Sequence, residues 1–343
     1  MGYRFVLAGV AAVFFAASAF AESIRLGWQL PWATQGQLVM ALKQSNIPEL
    51  AGIDLEYVDF TYGGPLNQAA LAGDVDILLT ADQPAAVLIA RGDKHRIVAR
   101  MMYNRTCIYV PTGSNVENLT DLNGAHIAGP VGAAAERIAM ADLSGMGVNI
   151  DALEHSKLDM GQQAALVRQS EGASSWGTID ALYGFDPLPA AFEEQDLVKM
   201  LSCGKVLSLV LASDEMIEER PEELAAFLRA FHAAWALYAE KPDEMNKAFL
   251  NESGLEMSQA ALEIAAAVEP NRFANDLDDL RLSFTQEDAA IFKTSVQFLM
   301  DRGIIDKDLE LESSNVSSLD ALESVVSTPE MTGQIIDLMN INQ

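Results

Sequence analysis

Residues 73–84 read GDVDILLTADQP, an acidic turn, a short apolar run with no polar face, then Thr80, Asp82 and Gln83 immediately ahead of Pro84 and an alanine-rich helix. An apolar run without a polar face is a strand covered on both sides, as in parallel sheets. A strand that passes straight into a helix is the building unit of α/β folds. Open parallel sheets take ligands outside the carboxyl ends of their strands, where helix N-termini converge. The polar cluster Thr80, Asp82 and Gln83 is therefore expected to form one wall of a ligand cleft.

The same pattern extends along the chain in both directions. Strands are expected at 24–28, 53–60, 75–80, 95–102, 106–110, 125–128, 179–182 and 206–211, with helices at 35–44, 65–72, 84–91, 134–146, 162–169 and 188–194 between them. From Pro221 onward the pattern is helical. Pro221, Glu222 and Glu223 open LAAFLRAFHAAWALYA, with proline in the first turn and acids against the dipole. Further helices fit 242–250, 258–267, 286–302 and 319–325. No Gly/Ser-rich linker and no repeat is present, so two domains would be joined by strands. The extended passages near 95–110 and 200–211 lie about a hundred residues apart and fit two hinge crossings. The expected division is a leader at 1–21, a first lobe of 22–103 and 204–343 with the C-terminal helices, and a second lobe of 104–203.

The first residues set the expected compartment. Arg4 precedes an apolar run, and Ala19-Phe20-Ala21 fits the small-x-small rule for signal peptidase, so a mature chain would begin at Glu22. The run is shorter than the ~18–20 residues of a membrane span, and no cysteine at the cleavage site offers a lipid anchor. The reading is an exported, periplasmic protein. The 343-residue chain carries 49 acidic and 22 basic residues. Such a balance disfavours nucleic acid and anionic membranes, which need basic patches. Cys107 and Cys203 are the only two cysteines. An oxidising compartment permits a bridge between them, and two buried free thiols are the open alternative.

Four strand-to-helix junctions could hold a small molecule. They are GWQLPWATQG with Gln29, Trp32 and Gln35; FTYGGPLNQ with Gly63, Gly64 and Pro65; LLTADQP with Asp82 and Gln83; and IAGPVGAAAE with Gly132, Ala133 and Ala134. Unpaired N–H groups and the positive dipole end at helix starts suit acidic oxygens. Each junction also has a plain reading, since Gly-Gly-Pro is ordinarily a turn and Asp before a helix ordinarily a cap. Trp32 sits off any helical stripe and is the aromatic expected in the pocket, whereas Trp28 and Trp235 read as core. Trp176 precedes GTIDALYGFDPL, where Tyr183, Phe185 and Asp186 follow a strand, and at least one of these is expected to face the cleft. The four histidines are dispersed without metal-ligand spacing. No nucleophile elbow, phosphate-binding lysine loop or dinucleotide glycine fingerprint occurs. No catalytic residue, cofactor or metal is expected, and binding is favoured over chemistry.

At this point the chain resembles the substrate-binding proteins of ABC importers in the nitrate/sulfonate/taurine group. The resemblance rests on the order and spacing of IRLGWQ, YGGPLNQAALAGDVDILLTADQP, LNGAHIAGPVGAAAERIAM, GTIDALYGFDPLPAA and ERPEELAAFLRAFHAAWALYAEKPDEM. It implies a type II periplasmic binding fold, two α/β lobes joined by two hinge crossings with the ligand cleft between them. It implies a receptor rather than an enzyme, one that hands a sulfonate- or taurine-like solute to an inner-membrane permease and works as a monomer. By position, the binding loops would be 29–35, 63–65, 80–83, 131–134 and 176–186. One departure matters. Where sulfonate-binding relatives often place Ser or Thr, this chain has Ala133, Ala134 and Ala135, then Glu136. With Asp82 as a second carboxylate, a ligand bearing an amine or ring donors, such as an aminosulfonate or a pyrimidine-like compound, fits better than nitrate. An enzyme or a sensory module on the same two-lobe fold is the alternative.

Overall fold

Apolar runs too short for helices, most of them buried on both faces, assemble into one sheet. The computed structural model describes residues 23–311, so the expected leader and the helix expected at 319–325 lie outside the described residues. The strands are β1 (Ile24–Gln29), β2 (Leu55–Phe60), β3 (Ile77–Ala81), β4 (His95–Pro111), β5 (His126–Gly129), β6 (Glu154–Lys157), β7 (Ala181–Phe185) and β8 (Val198–Ser213). Their order across the sheet is β2-β1-β3-β8-β4-β7-β5-β6. β1 runs parallel to β2 and β3, and β5 runs parallel to β6 and β7. Between these parallel flanks lie β8 and β4, antiparallel to each other and to the strand on their outer side.

The opening stretch behaves as its composition demands. All five residues of β3 are buried, because helices cover both faces. The helices are α1 (Gln35–Lys43), α2 (Ile47–Ala51), α3 (Gly63–Ala72), α4 (Asp82–Ala90), α5 (Ala134–Gly145), α6 (Met160–Gln169), α7 (Leu188–Glu194), α8 (Asp214–Glu218), α9 (Pro221–Glu240), α10 (Pro242–Ser253), α11 (Gln259–Ala266) and α12 (Gln286–Asp301). α1 packs on α9 and α10, while α4 packs on α3 and α12. α9 supplies Phe227, Phe231, Trp235 and Tyr238 to the largest apolar cluster, which also holds Trp28. Both tryptophans that read as core are thus in the core. The C-terminal helices reach past the first flank: α11 packs on α7, and α12 touches α5.

The two long strands decide the architecture. β4 has 17 residues and β8 has 16, about three times the usual strand length of ~5–6. They pair from His95 opposite Ser213 to Pro111 opposite Val198, with shifts of register on the way. Each therefore belongs to both flanks, as two crossings between lobes should. The separate strands expected at 95–102 and 106–110 are one strand, because Tyr103, Asn104 and Arg105 keep pairing with β8. β6, α2 and α8 have no counterpart among the expected elements. β6 (EHSK) has no apolar alternation to announce it and is held by its pairing with β5. Cys107 faces Cys203 across the β4–β8 ladder, and the two form a disulfide with Cα atoms 4.1 Å apart.

Candidate functional site

The glycine- and alanine-flanked helix beginnings of the two flanks meet. Asp82, in the first turn of α4, accepts at Oδ2 from the Arg137 guanidinium on α5 at 2.6 Å. Gln83 donates from Nε2 to the Gly132 carbonyl, in the turn before α5, at 2.8 Å. One flank supplies Asp82 and Gln83 and the other supplies Gly132 and Arg137, so these contacts hold the halves together. Asp82, Gln83 and Arg137 are all buried. Burial pushes the Asp82 carboxyl up from its ordinary value, and the Arg137 guanidinium and the Gln83 N–H oppose that rise.

The turn before α5 is shaped by Gly132, whose φ of 88° lies in the left-handed region that disfavours side chains. Its N–H donates to Glu136 Oε2 at 2.7 Å, and the other oxygen of Glu136 accepts from Arg302 at 2.8 Å. Ala133 and Ala134 follow, with Ala133 at the cap position and Ala134 buried at the start of the helix. In the first flank, Gly63 opens α3 beside α4. A Cβ there would lie 2.8 Å from a Pro84 ring carbon, so glycine permits the close approach of the two helix beginnings. Gly64 and Pro65 continue the first turn of α3.

The other expected residues lie deeper. Gln35 accepts from the Gln29 N–H and donates to the Leu79 carbonyl, and the Gln29 side chain reaches the same carbonyl. These two amides thus join β1 to β3. Trp32 is 5% exposed and belongs to the large apolar cluster with Trp28 and Leu38, and its indole N–H is buried without a hydrogen-bond partner. Trp176 packs in another cluster, edge-on to Tyr109 at 6.3 Å. Tyr183 lies against Gly129, where a Cβ would stand 2.4 Å from its ring, and its hydroxyl is hydrogen-bonded to His155 Nε2. Asp186 is fully buried, pairs with Arg105 at 2.6 Å and accepts the Ala190 N–H of α7. Burial pushes its carboxyl up, against the pull of Arg105. Of the expected set, the structure brings Asp82, Gln83 and Gly132 into mutual reach through Arg137 and the Gly132 carbonyl, with Gly63 against α4.

Beside Thr80 and Gln83, already expected at the cleft wall, sequence reasoning missed three polar residues on the crossing strands, Asn104, Thr106 and Ser208. Thr80 Oγ1, Gln83 Oε1, Asn104 Oδ1, Thr106 Oγ1 and Ser208 Oγ are buried and find no hydrogen-bond partner in the protein. Three of them share one face of the β4–β8 ladder, with Ser208 opposite Met102, Asn104 opposite Val206 and Thr106 opposite Gly204, whereas Thr80, opposite Leu209, points to the other face. Buried polar atoms are normally satisfied, and a cluster that is not marks a place where something else supplies the bonds. The signal was present in the sequence. Asn104 and Thr106 interrupt an apolar run, and by pattern alone that interruption reads as the end of a strand. Among the described residues no cluster of His, Cys, Asp and Glu could hold a metal ion, and no helix is long and apolar enough to cross a membrane.

The family model described as NMT1/THI5 like matches residues 49–245, more than half of the chain. No curated protein matches the sequence. Among solved structures, the alkanesulfonate-binding protein SsuA from Xanthomonas axonopodis pv. citri, bound to MOPS, is 19% identical. The match covers 84% of this chain and 95% of that one, with a TM-score of 0.66. The periplasmic aliphatic sulphonate binding protein SsuA from Escherichia coli is also 19% identical, covering 86% and 91%, with a TM-score of 0.66. The desulfurization enzyme DSZB is 15% identical, covering 92% and 99%, with a TM-score of 0.61. At these identities the likeness carries the fold, which is that of the periplasmic binding proteins.

Proposed function

The chain belongs to the NMT1/THI5-like family, and from that premise we propose that it is an extracytoplasmic receptor for a small organic solute, which it delivers to an ABC permease. One observation carries this reading. The beginnings of α4 and α5, contributed by opposite flanks of the sheet, touch where β4 and β8 cross. Ligands favour such seams between domains, and closure about two crossings lets contacts from both halves shift the population toward the closed form. The lobes are taken as 22–103 with 204–343, and 104–203. The solute-facing residues are taken as Thr80 and Gln83 with Asn104, Thr106 and Ser208, alongside the loops at 29–35, 63–65 and 131–134.

Two solute classes follow from different observations. The named ligands of the SsuA proteins favour a sulfonate- or taurine-like compound. The unpartnered acceptor Gln83 Oε1 at the seam favours a solute with N–H donors, such as a pyrimidine-like compound. An enzyme on this fold is the competing reading, supported by the likeness to DSZB. Both cysteines of this chain are held in the disulfide, which leaves no thiol as a nucleophile. A thermal-shift screen of sulfonates, amino acids, pyrimidines and aromatic carboxylates tests the receptor reading. A solute at about 100 times its Kd adds ~2.7 kcal/mol of stability. No shift with any class would defeat the reading.

A further inference from the structure

We propose that Glu136 is a specificity-determining residue, a built-in anion that fills the anion-holding turn at α5 and makes the receptor reject solutes with a sulfonate or carboxylate head there. The inference rests on the receptor reading above. A turn that presents backbone N–H groups ahead of a helix is ready to take an anion. Here the Gly132 N–H already donates to Glu136 Oε2 at 2.7 Å, and Glu136 Oε1 accepts from Arg302 at 2.8 Å. Glu136 is 1% exposed, so its carboxylate sits inside the protein between these two donors.

The charge of the neighbouring cation is matched in the same way, although the Arg137 Nε–H finds no partner. Arg137 pairs with Asp82 at 2.6 Å and donates to Thr294 Oγ1 at 3.1 Å. Two guanidiniums, Arg137 and Arg302, thus face two carboxylates, Asp82 and Glu136. A solute anion entering this turn would bring a charge with no counter-charge left to meet it, and buried unpaired charge is strongly unfavourable. A second observation points to the same solute chemistry. Gln83 is 2% exposed, and its Nε2 is fixed on the Gly132 carbonyl, in the same turn. That leaves Oε1, an acceptor without a partner. Gln83 Oε1 asks for an N–H or O–H donor.

The test is titration calorimetry of the full chain with 1-butanesulfonate, comparing wild type, Glu136→Ala, Glu136→Gln and the double variant Glu136→Ala/Arg302→Ala. Circular dichroism and melting curves report whether each is folded. Removing the carboxylate frees both the Gly132 N–H and the Arg302 guanidinium. Glu136→Ala should bind butanesulfonate at least roughly tenfold more tightly than wild type, a gain of about 1.4 kcal/mol. The isosteric Glu136→Gln should gain less, and the double variant should lose most of the gain. Wild type binding butanesulfonate as tightly as Glu136→Ala, or no gain in either single variant, would overturn the proposal. Tight sulfonate binding by wild type would overturn the exclusion while leaving the receptor reading standing. A wild type that responds to no solute class, beside a Glu136→Ala protein that gains sulfonate, would defeat the receptor reading alone.

Discussion

Removing the Arg137 guanidinium would leave Asp82 fully buried with the Gln83 N–H as a remaining donor. Breaking a buried ion pair by deleting one partner costs about 3–5 kcal/mol, because the surviving charge keeps its desolvation and loses its counter-charge. Arg137→Ala is therefore expected to lower unfolding stability by about that amount in a urea titration, and Asp82→Asn/Arg137→Met together should cost much less. A double-variant loss equal to the sum of the Asp82→Asn and Arg137→Met losses would show that the pair is not coupled. Asp82 could be picked out from the sequence because it stands at a strand-to-helix junction. Arg137 could not, since ERIAM reads as an ordinary helix turn and its partner lies 55 residues away. Pairing across that distance is decided by the fold, not by local pattern. The same holds for Trp32, whose burial in the large apolar cluster could not be read from its loop position.

At the scale of elements, the crossing strands and the helix that clips them carry two expectations. The Cys107–Cys203 bridge closes a separation of 96 residues. By the chain-entropy model such a loop is worth up to ~4.7 kcal/mol, with measured bridges usually giving about 2–4. A Cys107→Ala/Cys203→Ala protein should lose stability on that order in denaturant, and reductant should then have no further effect on it. The second concerns α12. Burial works against the charge of Asp288, yet hydrogen bonds from the Thr285 N–H, Arg281, the Tyr103 hydroxyl and the Thr285 hydroxyl hold its carboxyl below the ordinary value. The Tyr103 phenol is pushed up to about 12 by burial and by Asp288. A depressed carboxyl favours the folded state above its unfolded pKa of ~3.9 and loses that advantage as pH falls through the folded value. Stability should decline on acidification below about pH 4, and Asp288→Asn should flatten that slope. An unchanged slope would remove Asp288 from the account. Helix ends were largely legible here, since α7 spans 188–194 as read from the sequence and α9 begins at Pro221 as its proline and acids indicate. Strand ends were not. β8 begins at Val198 rather than 206, because VKMLSCGK carries no clean alternation and is recruited by its partner β4.

For the whole molecule, the question is what holds the two flanks shut. The bonds across the seam include the Asp82–Arg137 pair, the Gln83–Gly132 hydrogen bond, and the bracing of α5 by α12 through Arg137–Thr294 and Glu136–Arg302. Beyond these contacts the flanks are joined by β4 and β8 and by the packing of α11 on α7 and of α12 on α5. A closed chain of this size should have a radius of gyration of about 20 Å. If the seam contacts set the closed population, weakening them must lower that population, and apparent affinity falls in proportion to it. Asp82→Asn/Gln83→Ala should therefore scatter as a larger particle than wild type without solute. It should return to the wild-type radius at saturating solute and bind that solute at least roughly tenfold more weakly. A loss of affinity with no change in radius would instead make Asp82 and Gln83 direct solute contacts. Unchanged radius and affinity together would place the control of closure in the C-terminal helices, where α11 on α7 and α12 on α5 already span both flanks.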